Sequence, residues 1–228
     1  MKKLSTSLLV VSIVFFTSRL FATETNSVVA VESAYAKAIT QRAEKIVVAL
    51  GIADTNKSTR VSGIIARQYR DLNAIHEVRD AQLKQAREKA GADKTAVNAA
   101  VEVVRAETKP KLDKLHGEFL GKLSAELSAE QVDKVKDGMT YGVLPLTYGV
   151  YLKMYPDLTT EQQAQIKTWL TEARELAMDG STSDEKHAVF GKYKGRINNY
   201  LSKAGYDAKK AEQNLKKPTA PASDAKVK

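Results

Sequence analysis

Residues 184–207, DEKHAVFGKYKGRINNYLSKAGYD, bring a histidine, an arginine, lysines and aromatics into one helical pattern. Spacing at threes and fours puts His187, Gly191, Lys194 and Asn198 on one face, with Lys192, Arg196, Asn199 and Lys203 on another. A partly buried His187 could serve as acid or base; the plainer alternative is a structural hydrogen bond. Arg196 carries a planar fork able to grip a carboxylate at two points, unless its face is simply solvated. Gly191 and Gly195 each cost a helix about 1 kcal/mol against alanine, so close approach of another backbone or a ligand is expected to compensate. Just upstream, MTYGVLPLTYGVYLKMYPDLTTEQQ (139–163) repeats Thr-Tyr-Gly-Val and concentrates Tyr141, Tyr148, Tyr151 and Tyr155. Tyrosine rings beside glycines suit a sugar, because the rings offer flat apolar faces and the glycines let a ligand near the backbone. The same tyrosines could instead plug a seam between helices.

Catalytic signatures are missing. There is no G-x-S-x-G, and GKYKGR lacks the form of a phosphate-binding P-loop. His76, His116 and His187 stand at no metal-ligand spacing; His76 and His116, each beside an apolar neighbour, read as packing or surface. Asp137, Asp157, Glu172, Glu175, Asp179 and Glu185 are near the candidate region, but no spacing selects a glycosidase-type pair. No catalytic residue, metal site or cofactor is assigned. The candidate ligand-binding set is Tyr141, Tyr148, Tyr151, His187, Lys194, Arg196 and Asn198.

The elements that must position these residues are helical. Tyr35, Ile39, Ile46 and Leu50 share a face of a first helix stopped by Gly51. A second helix, from about residue 58 to 90, carries Val61, Ile65, Tyr69, Leu72 and Leu83 inward. A third, from about 95 to 127, carries Val97, Val101, Val104, Leu112, Leu115, Phe119 and Leu123, with a kink or break expected at Pro110. LSAEQ (127–131) and LTTEQ (158–162) each set Ser or Thr three residues before Gln, a capping box that starts a helix. Glycines and prolines between them mark residues 138–157 as an irregular linker. Helices follow from about 160 to 178, with Ile166, Trp169, Leu170, Ala173 and Leu176 inward, and from about 184 to 204. The fold class is all-α: a long-helix bundle to about residue 137, the Tyr/Gly linker, and a C-terminal helical pair.

Lys2 and Lys3 precede an apolar run, Leu8 to Phe16, and a small residue, Ala22, the pattern of a signal peptide over 1–22. The run is shorter than the ~20 residues of a membrane span. The chain is thus expected to be exported, to periplasm or exterior, with 23–207 as a single helical domain. It has no cysteine, so the domain is held by its core rather than by disulfides. The formal charge of +9 falls to +6 without Lys2, Lys3 and Arg19. Residues 208–228 hold six lysines against Glu212 and Asp224, a further +4, and read as a disordered basic tail. The body is therefore about +2, which argues against nucleic acid as a partner.

The run from 137 to 207, with KLHGEFLGKLSAELSAEQVDKVK upstream, resembles a family of secreted proteins of unknown function, mainly from Bacteroidetes and often encoded near polysaccharide-degradation genes. That resemblance implies a polysaccharide-utilisation context and no particular activity. The paired L-[ST]-x-E-Q starts are similar in style to LTxxQ periplasmic proteins of the Spy/CpxP kind, which implies a chaperone-like or stress-responsive alternative. The leading expectation is a non-catalytic accessory binding a glycan or other acidic ligand. The rivals are a chaperone taking a client protein and an unrecognised hydrolase or lyase.

Overall fold

Asp54 and Asp93 start the two longest helices. Each is extended and accepts hydrogen bonds from the amides two and three residues on, satisfying donors that a helix start leaves unpaired. In the computed structural model, which describes residues 34–215, α1 spans residues 34–48. It is followed by α2 (Thr55–Ala90), α3 (Lys94–Glu126), α4 (Ala129–Met139), α5 (Val143–Met154), α6 (Thr160–Met178), α7 (Ser183–Lys203) and α8 (Ala208–Leu215). The regular elements among the described residues are all helices, without strands. The signal-peptide expectation falls on residues outside those described. Among the described residues, no helix is long and apolar enough to cross a membrane.

At ~1.5 Å per residue α2 and α3 are each roughly 50 Å long. They form an antiparallel hairpin, turned at Gly91 (φ 57°) and closed at its other end by the Arg60–Glu126 ion pair at 2.9 Å. α1 and α4 pack on the base of the hairpin. Ala43, Ile46, Leu50, Val61, Ile65, Leu72, Phe119, Leu123, Val135 and Met139 form a first core there, joined by Met178 from the end of α6. A second core joins α5 to α8 through Leu144, Tyr151, Ile166, Leu170, Ala173, Phe190, Ile197, Leu201 and Ala211. Both capping boxes are formed, with Ser128 and Gln131, and Thr159 and Gln162, exchanging backbone and side-chain bonds.

Four local expectations are corrected. The linker is irregular only at its edges, because α5 occupies 143–154. Pro145 lies in that helix's first turn, where a missing N–H costs nothing. The break expected at Pro110 is absent: helix α3 continues through it, with Val104, Phe119 and Leu123 buried on either side. Residues 208–215 of the expected tail form α8: Asp207 accepts from the Lys209 and Lys210 amides, Ala211 is buried, and Asn214 donates to the Met154 carbonyl. Leu176 is exposed, the buried positions nearby being Ala177 and Met178.

Glycine placement differs as well. A Cβ at Gly191 or Gly195 would meet open space, whereas one at Gly138 would lie 2.8 Å from Ile46 Cγ1. The close approach is thus between α1 and α4. Gly138→Val is expected to destabilise by about 2–3 kcal/mol, since a branched side chain is forced into a packed core. Gly191→Ala is expected to stabilise by roughly 0.5–1 kcal/mol through helix propensity alone. Urea melts of the two variants check both signs.

Candidate functional site

Tyr141 lies in the turn between α4 and α5, where the chain takes two consecutive left-handed residues, Tyr141 at φ 59° and Gly142 at φ 65°. Glycine adopts that conformation freely, but a tyrosine there is strained, and strain of this kind persists only where the surroundings impose it. Here it holds the ring outward, 52% exposed and parallel to the His187 ring, with centroids 5.8 Å apart and 3° between planes. The His187 Nδ1 lies 2.8 Å from the Ser183 carbonyl, which can only accept, so the proton sits on Nδ1. The ring is thereby fixed one helical turn above the start of α7.

Two neighbours hold this slab in place. Lys186, 4% exposed, donates to the carbonyls of Met139 and Met178, both at 3.2 Å, tying the Tyr141 turn to the end of α6. Burial pulls its pKa down to about 8. A side chain at Gly180 would press on Lys186 Cγ at 3.1 Å, so this turn too needs a small residue. From the other side, the contact of Gly138 with Ile46 brings α1 close. Arg42, one turn before Ile46, lies within electrostatic reach of Lys186, Tyr35 and Tyr69. Tyr69 is also within reach of Tyr141, and its burial pushes its hydroxyl up to about 12. The Tyr35 hydroxyl donates to the Tyr69 carbonyl at 3.1 Å, fastening α1 to α2.

Beneath this face a polar seam separates the two cores. His116 Nδ1 reaches the Asp179 carboxylate at 3.0 Å and its Nε2 is 3.5 Å from Glu175. Those hydrogen bonds, to Asp179 first and Glu175 second, raise its pKa to about 9. Burial would raise the Glu175 carboxyl, but His116, Lys136 and Arg174 outweigh it and hold it down to about 2. His76 Nε2 donates to the Asp179 carbonyl at 2.7 Å, leaving its buried Nδ1 without a partner. Burial lowers the His76 pKa, so the ring is neutral there. Arg174, 6% exposed, bridges Asp133 and Asp137 at 2.6 and 2.9 Å. Among the described residues, no group of three His, Cys, Asp or Glu side chains is arranged to hold a metal ion.

Of the seven residues singled out from sequence, Tyr141 and His187 come together. Tyr151, Asn198 and Lys194 meet elsewhere: the Tyr151 hydroxyl donates to Asn198 Oδ1 at 2.7 Å, with the Lys194 carbonyl at 3.3 Å. This partly buried bond fastens α5 to α7, and burial of the ring lifts the Tyr151 pKa to about 12. Tyr148 is half-buried against the second core. Arg196 lies over Trp169 at 4.4 Å and within 3.6 Å of Glu172, on the far face of α7. The spacing reading did not select Arg42, Tyr69, Lys186, or the His116–Asp179 pair. Lys186 had a legible signal: it stands four residues before Phe190 on the stripe that continues to Ile197 and Leu201, a cation at an apolar position.

A family model described as a protein of unknown function (DUF3826) matches residues 36–219, which include Arg42, Tyr69, Tyr141, Lys186 and His187. No curated protein matches the chain.

Proposed function

From the premise that this chain belongs to the DUF3826 family of proteins of unknown function, we propose that it is an exported, non-catalytic accessory protein that binds an oligosaccharide on the Tyr141–His187 slab. The observation that carries this reading is Tyr141 itself: an exposed ring, held out on a strained backbone beside a parallel imidazole. A core residue does not need such a conformation, and a solvated loop does not keep it. A ring fixed before the ligand arrives loses little freedom on binding, which favours recognition. A polysaccharide-utilisation context, carried by the sequence resemblance, supplies the ligand class.

Titration calorimetry with short plant-wall oligosaccharides tests it. Tyr141→Ala is expected to weaken binding at least about thirtyfold, the roughly 2 kcal/mol that removing a central aromatic anchor costs. Tyr148→Phe and Tyr151→Phe should leave affinity unchanged, since the Tyr151 hydroxyl bonds Asn198 in the interior and the Tyr148 ring packs against the second core. Equal losses from all three variants, or no binding by the unaltered chain, would refute the slab.

A further inference from the structure

Two cations, Arg42 and Lys186, stand beside the slab, and neither is bonded to an acid among the described residues. Arg42 on α1 is exposed and has no ion-pair or hydrogen-bond partner among the described residues. Arg42 lies within electrostatic reach of Lys186, and the two repel. Lys186 has two acids within reach, Asp179 and Glu185, and both are engaged elsewhere. The Asp179 carboxylate is held by His116 at 3.0 Å, and Glu185 accepts from Arg79 at 2.8 Å and from the Ser181 amide at 2.7 Å. An ammonium has three donors, and Lys186 spends two of them on the Met139 and Met178 carbonyls. Like charges brought together by two helices, with nearby carboxylates already committed, leave a local positive field that an external anion would balance.

Resting on the slab reading above, we propose that the bound oligosaccharide is a uronate, its ring lying on Tyr141 and its carboxylate received by Arg42. The guanidinium fork matches a carboxylate at two points, which an ammonium cannot do. Arg42 stands on the flank of α1 that meets the Tyr141 turn, since Ile39 and Ile46, one turn to either side, are buried and Ile46 sits against Gly138, three residues before Tyr141. Lys186 does not touch the ligand; it adds to the field and positions the Tyr141 turn through the Met139 carbonyl.

The test uses the full chain, oligogalacturonate of four residues, its fully methyl-esterified form, and a sulfated oligosaccharide of neutral sugars. Esterification removes the charge and leaves the ring unchanged. The unaltered protein is expected to bind the acid at least about tenfold more tightly than the ester, as a charge-assisted bond implies. Arg42→Gln should abolish that difference while leaving ester binding and the melting temperature as they were, and Arg42→Lys should fall between. The proposal is overturned if acid and ester bind alike, if Arg42→Gln weakens both equally, or if the sulfated sugar binds as tightly as the uronate. Binding of none of the probes would remove the slab reading and this proposal together; binding that ignores charge would remove this one alone.

Discussion

Alanine in place of Phe119 or Phe190 should each cost about 3–5 kcal/mol, and each variant should still unfold in one step. Both rings are almost fully buried, Phe119 in the first core and Phe190 in the second. Removing either leaves a cavity that the packed helices around it can only partly close. Two separate cores would allow two melting units, but three features couple them. Met178, at the end of α6, packs in the first core. Arg174 on α6 is held by Asp133 and Asp137 on α4, and Lys136 on α4 by Glu175 on α6. Buried ion pairs add little net stability, but separating them strands a charge, so they oppose partial unfolding. Trp169 lies against the second core and reports on it by fluorescence, while circular dichroism reports on all helices. In Phe119→Ala the fluorescence and dichroism midpoints should shift together. A fluorescence transition left in place while the dichroism moves would show that the cores unfold independently.

The second large effect is a pair of opposed pH dependences in the seam. His116 has a folded-state pKa of about 9 against an ordinary 6.5. The folded state therefore holds a proton that the unfolded chain releases between those values. Its contribution is complete below pH 6.5 and is lost as pH rises through about 9, amounting to roughly 2 kcal/mol after solvent screening. Lys186 works in reverse, its pKa lowered from 10.5 to about 8. There the unfolded chain holds the extra proton, so stability is regained as pH rises from about 8 to 10.5. Melting temperature should fall from pH 6.5 to about 8 and then level. His116→Gln should remove the fall, and Lys186→Met should remove the compensating rise. On the acid side, Glu175 holds its contribution above pH 4.5 and loses it as pH falls through about 2. His116 and Glu175 titrate as one cluster, so their shifts describe a shared interaction and do not add. A flat profile from pH 6 to 9 in the unaltered protein would show that His116 does not hold its second proton in the folded state.

How much of this was legible depends on how far apart the cooperating residues lie. Helix identity, the capping boxes at Ser128 and Thr159, and the Gly51 and Gly205 stops follow from groups within four residues of one another, and all are present. Periodicity likewise assigned Phe190, Ile197 and Leu201 to the interior. The same stripes carried a signal that periodicity alone passes over. Lys186 on the Phe190 face, Arg174 one turn after Leu170, and His76 one turn after Leu72 are polar residues at apolar positions, and each proves buried. Residue type and spacing also raised Tyr141 and His187, but could not separate them from Tyr148, Tyr151 and Arg196. All are plausible surface groups until a partner is known.

Tertiary structure decided which tyrosine faces outward and which cations share a field. Tyr151 finds Asn198 across 47 residues, and His116 finds Asp179 across 63. Arg42 comes within reach of Lys186 because Gly138 admits Ile46, a contact between helices distant in the chain. By itself, then, the sequence determined the helices and their ends, since backbone caps and side-chain periodicity are local physics. The seam and the exposed Tyr141–His187 slab arise only when helices dock, because burial and opposing charges exist only between surfaces that have met.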